Sequence, residues 1–423
     1  MDGSRHIAGT VVLGIAALFT TIWAHAQTAA PRPNPPPQIC VNGICANTPV
    51  AASPPPSGSG SSGPIKWNPG HYMASFGTVY GGKSTSFIQY ELNDLNNQDA
   101  FLGYRMAISW AALEPTQGNY DFSAIDAVLA TLKTFNKPKR LVIMLWDYGM
   151  GTLGQNDHTV IPTYIQQNSI YGASPVSGSY GWWGENSNGA STGQYALALY
   201  YPPVMDRFIA MVQALGQHLD SNPYVEAILI QEDATVTQSA SEEGSADPHY
   251  SDDAWLAQLK RLLTAATAAF PHTSVSMANS WMRAPTDTVA LEEWMSTNRI
   301  AAGSADTVGQ SAIDNYGLGF ISWGLQAHIG VAQYGGVDLR PKMAAMMDVE
   351  YPDMVGNFYA GQGGPYAPLD IIHALNQTYH ASHAFWTRMV GSAYPAAAQW
   401  SALAATCTAN PLTSTAYPAN YPK

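Results

Sequence analysis

From Ile65 onward the chain alternates short apolar runs of strand length with longer runs of helical period, and it does so eight times. Runs that are apolar throughout need cover on both faces, and a parallel sheet wrapped in crossover helices supplies it. The strand candidates are His71 to Phe76, Tyr104 to Trp110, Leu141 to Trp146, Val225 to Glu232, Ser274 to Asn279, Gly319 to Trp323, Met343 to Glu350 and Ala384 to Arg388. Helical candidates include Phe122 to Phe135, Val204 to Leu219, Trp255 to Phe270 and Leu369 to His380. The sixth helix is weakly marked, because Leu325 to Arg340 is Gly-rich and has no clear period. Self-similar repeats are absent, which argues against a solenoid or a propeller. The pattern predicts the α/β class and a single (β/α)8 TIM barrel over residues 65–423.

Eight such units typically take ~250 residues, so this barrel must carry insertions. The largest runs from Tyr148 to Tyr201, between the third strand and the third helix, and is rich in Gly, Ser, Asn and aromatics, including Trp182-Trp183. A long β3-α3 loop of this kind belongs on the C-terminal face of a barrel, where such folds build their chemistry.

Upstream of the barrel the composition changes twice. Residues 1–26 have the layout of a signal peptide: Arg5, an apolar stretch from Ile7 to Trp23, then the small-x-small triplet Ala24-His25-Ala26. Cleavage before Gln27 is expected, with an uncleaved anchor as the alternative, and this predicts a secreted or periplasmic protein without membrane association after signal cleavage. In residues 27–64, 19 of 38 positions are Pro, Gly or Ser and Arg32 is the only charge, so this segment is expected to be a linker that forms no core. Within it, Asn42-Gly43 favours a hairpin that would bring Cys40 and Cys45 into disulfide range. Cys407 is left over and is expected to be buried, and three cysteines at these spacings make no zinc site.

With 18 Lys+Arg against 30 Asp+Glu the net charge is −12, which excludes nucleic acid as a natural partner. Charged residues make up only 11% of the chain, and aromatic residues match them at 11%, a surface suited to a neutral ligand. Two strand candidates end in carboxylates: Ile-Leu-Ile-Gln231-Glu232-Asp233 and Met-Met-Asp348-Val-Glu350-Tyr-Pro. Facing carboxylates are what glycosidic bond cleavage requires, one as acid/base and one as nucleophile. Either glutamate alone could equally be a salt-bridged rim residue. Trp110, Trp146, Trp281, Trp323 and Trp386 fall at or near the same predicted strand ends, and flat aromatic faces stack on sugar rings. An oligosaccharide or polysaccharide substrate is the expectation.

The segment Gly103-Tyr-Arg105-Met-Ala-Ile-Ser-Trp110, with Leu113-Glu114-Pro115, Gly118-Asn-Tyr120-Asp121-Phe122-Ser123 and Ile125-Asp126, resembles the second unit of retaining β/α-barrel glycoside hydrolases. That clan includes cellulase, mannanase and β-galactosidase barrels. The likeness is close over residues 103–126 and is one of element order elsewhere. It implies that Arg105 orients the nucleophile, that Glu232 is the acid/base, that Glu350 is the nucleophile and that Trp386 forms the floor under the reacting sugar. No metal and no cofactor are expected. The clan usually has Asn before the acid/base, whereas this chain has Gln231. That departure supports the rival reading, a catalytically inactive glycan-binding barrel.

Other motifs point elsewhere. Gly77-Thr-Val-Tyr-Gly81-Gly82-Lys83-Ser84 fits a phosphate-binding loop, but an exported chain meets little nucleotide, so no nucleotide partner is expected. His71, His380 and His383 do not pair as metal ligands at a strand end. Lys342 enters the seventh strand at its other end, which leaves a Schiff-base mechanism without its lysine.

Overall fold

The computed structural model describes residues 64–75, 85–146, 148–150, 160–172, 178–184, 194–230, 247, 249–279, 285–304, 307–318, 321–331, 337–349, 366–388 and 397–422. Eight parallel strands close into a barrel: β1 (Gly70–Ser75), β2 (Gly103–Ser109), β3 (Arg140–Trp146), β7 (Val225–Ile230), β8 (Ser274–Ala278), β9 (Ile300–Ser304), β10 (Ala345–Val349) and β11 (His383–Arg388). Strand β1 closes the ring by pairing with both β2 and β11. Runs such as Arg-Leu-Val-Ile-Met-Leu-Trp in β3 are apolar on both faces because the helices cover one side and the packed barrel interior the other. Helices Ser123–Lys133, Pro202–Leu219, Asp252–Ala269, Pro285–Thr297 and Pro368–Gln377 are among that cover.

The long third loop carries a small antiparallel sheet of its own, in which β6 (Gln194–Leu197) lies between β4 (Tyr148–Met150) and β5 (Trp182–Gly184). It leaves the C-terminal end of β3 and returns to the helix that starts at Pro202.

Seven of the strands fall within a few residues of their expected positions, and the sixth does not. The expected strand Gly319 to Trp323 is not in the barrel; the sixth strand is Ile300-Ala-Ala-Gly-Ser304. Trp323 instead opens a short helix, Trp323–His328, whose start is capped by the Ser322 hydroxyl accepting from the Leu325 amide. Strand propensity misleads here because β9 is selected by its neighbours. A Cβ on Gly303 would lie 3.0 Å from the carbonyl oxygens of both Met277 and Met346, on the flanking strands. Small side chains let this strand fit between two others, and pairing on both edges overrides its weak intrinsic preference.

The N-terminal end of the barrel is sealed by the segment just before β1 and the segment after the last helix. The Ile65 amide donates to the Tyr417 hydroxyl (2.8 Å) and the Trp67 indole to the Thr415 carbonyl (2.9 Å). Trp67 also meets the rings of His383 and Tyr421 edge-on. Beneath this plug lies a buried polar group centred on Glu226, which accepts from the Asn68 amide at 2.6 Å and from Arg140 at 2.5 Å, with His383 Nε2 at 3.4 Å. Burial opposes the charge on Glu226, but His383 and Arg140 together hold its carboxyl below the usual range. Lys66, whose pKa burial brings down to about 8, donates to the carbonyls of Asp220 and Asn222. Cys407 is buried in the last helix, and burial pushes its thiol pKa up. Residues 1–63, including Cys40 and Cys45, lie outside the described residues, as does the Gly77 to Ser84 motif.

Candidate active site

The inner face of the barrel is fixed by strand register. Arg105 on β2 reaches across the interior, past β1 and β11, to Asp348 on β10, with Nη2 2.6 Å from Oδ1 and both side chains almost wholly buried. Phe385, in register with Asp348, therefore faces inward as well. The remaining donors of Arg105 are poorly used. Nη1 lies 3.5 Å from the Ser75 carbonyl and 3.2 Å from Met144 Sδ, and Nε makes no hydrogen bond among the described residues. An unused guanidinium donor in a barrel interior is costly unless something else takes it up. The backbone of Asp348 is held by Thr307, whose hydroxyl donates to its carbonyl at 2.6 Å. Burial raises the Asp348 pKa to about 6 against the opposing pull of Arg105.

The tryptophans divide. Trp146 ends β3 in register with Ser109 on the inner face, as the alternation from Met144 requires, and is buried at the C-terminal end of the barrel. Trp110 is the first residue of the short helix Trp110–Leu113 and is buried. Its indole donates to Glu114 Oε2 at 2.7 Å and its ring packs edge-on against Phe208. Glu114, itself fully buried, also accepts from the Gly118 amide and from Arg207, so this part of the second loop is a packed hydrogen-bonded unit.

Trp386 is not placed as a floor for a sugar. It pairs with Met73 and follows inward-facing Phe385, so it points outward toward the helices and is fully buried. Its indole donates to His71 Nδ1 at 3.0 Å, and His71 Nε2 in turn donates to the Asn410 carbonyl at 3.1 Å. Burial lowers the His71 pKa to about 4, which keeps this relay neutral. A strand-end position alone does not choose between the two faces, and one residue of offset reverses the outcome.

Gln231, Glu232, Trp281 and Glu350 lie outside the described residues, and of Trp323 only the backbone is described. What the fold supplies is their point of departure: β7 ends at Ile230 and β10 at Val349, both at the C-terminal end of one barrel. Asp348 was missed as a partner of Arg105 by sequence reasoning. The signal available was its spacing of two from Glu350, since alternate residues of a strand share a face. Among the described residues, no group of His, Cys, Asp or Glu is arranged to hold a metal ion.

No family model matches this sequence, and no curated protein is significantly similar to it. Solved structures similar to this chain include glycosidases. The catalytic domain of β-amylase from Paenibacillus polymyxa is 10% identical, with 74% of this chain and 92% of that one covered and a TM-score of 0.49. GH5_18 from Streptomyces cattleya, solved in complex with GlcNAc, is 11% identical over 76% of this chain and 70% of that one, with a TM-score of 0.45. The exo-β-1,4-mannosidase Op5Man5 of Opitutaceae bacterium strain TAV5 is 14% identical over 83% and 52% respectively, with a TM-score of 0.43.

Proposed function

We propose that this chain is a glycoside hydrolase that cleaves O-glycosidic bonds of a mainly neutral oligo- or polysaccharide with retention of configuration. Glu350 is the nucleophile and Glu232 the acid/base. The observation that carries the reading is the pair of strand ends: Glu350 follows β10 directly and Glu232 follows β7 by two residues, in one closed parallel barrel. Arg105 adds to it. Its guanidinium is held by Asp348, two residues before Glu350, and has donors to spare for a second carboxylate. A cation there would keep the nucleophile ionised, while the acid/base holds its proton until the leaving oxygen takes it.

In the same reading residues 1–26 are removed on export, 27–64 are a linker and 65–423 are the catalytic barrel. The protein then acts outside the cytoplasm without a cofactor. The test is a panel of chromogenic glycosides and polysaccharides, followed by the two glutamate variants. Glu350→Ala is expected to lower kcat by about 10⁴-fold or more on every substrate. Glu232→Ala is expected to spare the first step for activated leaving groups and to regain turnover with azide. Gln231 favours the second reading, a glycan-binding barrel without turnover; saturable glycan binding with no hydrolysis across the panel would establish it instead.

A further inference from the structure

Three separate segments meet on the C-terminal face, at the outer rim between the helices Pro202–Leu219 and Asp252–Ala269. The first is the 3-10 turn Ser169–Tyr171, which ends at Gly172; the second is Tyr200-Tyr201, just before the first of these helices; the third holds Asp247 and His249, just before the second. Asp247 is 2% exposed, and both of its carboxylate oxygens accept hydrogen bonds. Oδ1 accepts from the His249 amide at 2.9 Å and from His249 Nδ1 at 2.8 Å, while Oδ2 accepts from the Tyr200 hydroxyl at 2.7 Å. A carboxylate that accepts a hydrogen bond from Nδ1–H fixes the tautomer and the ring plane. The lone pair on Nε2 is then free to accept, and Nε2 has no partner among the described residues.

The imidazole is a third exposed and lies against the Tyr201 ring, with centroids 4.1 Å apart. Gly172 makes room for this arrangement: at φ +92, a Cβ there would come within 3.0 Å of the Tyr201 ring and 3.6 Å of His249 Cε1. Burying a carboxylate to aim one partly exposed imidazole is an expensive way to pack two loops, because a neutral pair would staple them at less desolvation cost.

We propose that His249, aimed by Asp247 and backed by Tyr201, is the polar contact of an outlying subsite for a neutral sugar unit, at which Nε2 accepts a hydrogen bond from a ring hydroxyl. The inference rests on the glycoside hydrolase reading and adds to it that the substrate extends beyond the bond cleaved. Tyr201 and His249 stand at the starts of outer helices and not at strand ends, so the proposal assigns this contact to a sugar unit other than the one cleaved, which a monosaccharide glycoside lacks.

The experiment compares cellohexaose and mannohexaose with the p-nitrophenyl β-glycosides of the same sugars. His249→Ala should raise KM for the hexasaccharide that is turned over by about 10-fold with kcat unchanged, and should leave the aryl glycoside constants within about 2-fold. His249→Gln, which keeps an acceptor near the Nε2 position, should recover part of the loss, and Asp247→Asn should weaken the hexasaccharide like the alanine variant. An unchanged hexasaccharide KM in His249→Ala, or equal losses on short and long substrates, overturns the subsite. If the wild type hydrolyses none of the probes, the proposed activity fails for these sugars, and the subsite is judged separately by the His249 Cε1–Hε1 NMR signal. A shift on adding either hexasaccharide at millimolar concentration supports it, whereas no shift, or one produced only by an oligouronide, overturns it.

Discussion

The two ends of this barrel solve opposite problems. At the N-terminal end the charged groups are matched to partners at short range, from Lys66 on the Asp220 carbonyl to Asn68 and Arg140 on Glu226. At the C-terminal end Arg105 keeps unused donors in a buried place and His249 presents a nitrogen that has no partner among the described residues. Satisfaction at one end and deliberate shortage at the other separate stability from binding, so changes at the closed end should move melting and leave turnover alone.

The largest test of that division is a pair of truncations. A chain beginning at Ile65 should unfold cooperatively with a Tm close to that of the full-length chain, because the core starts there; one beginning at Gly70 loses the Trp67 plug and the Asn68 bond to Glu226 and should fail to fold at 37 °C. Thermal melts by circular dichroism decide it, and a stable Gly70 start would show that the plug is ornamental. Next in size is Glu226→Ala, which strands Arg140 over a buried gap. A loss of about 3 kcal/mol in urea unfolding is expected, with kcat unchanged for molecules that remain folded.

Asp348→Asn belongs to the open end and should do the reverse, cutting kcat more than it lowers stability. It should also alter the pH dependence of stability in a definite direction. The folded pKa of about 6 lies above that of the unfolded chain, so protonation of Asp348 favours the fold. That contribution is fully present below the unfolded value near 4 and is lost as pH rises through about 6. The stability of wild type relative to Asp348→Asn should therefore fall between pH 4 and pH 6, and a flat difference across that window would show that folding does not raise the Asp348 pKa. The smallest effect is expected for Trp386→Phe, which removes one donor to His71 and should cost about 1 kcal/mol while leaving kcat/KM within about 2-fold. A large loss of kcat/KM would return Trp386 to the sugar site.

The barrel was legible because seven of its strands are long enough and apolar enough to announce themselves. Strand β9 was not, since Ala, Gly and Ser carry no strand signal and only the crowding by β8 and β10 explains them. Carboxylates at strand ends were visible in the same way, as charged residues that interrupt apolar runs. The tryptophans were harder to read because sequence gives distance along a strand and not the face. Trp146 and Trp386 occupy similar positions along their strands yet point to opposite sides of the sheet. The Asp247 and His249 pair left no trace at all, because its partner Tyr200 is far away in sequence and the contact exists only once two loops have folded.

The meeting of Ile65 with Tyr417 also has a mechanical side. A pull applied between the two ends of the barrel would load the short plug first and shear its few hydrogen bonds before tension reached a strand. The loops of the opposite face would stay slack until the plug gave way, so the mouth of the barrel is insulated from a pull on those two segments.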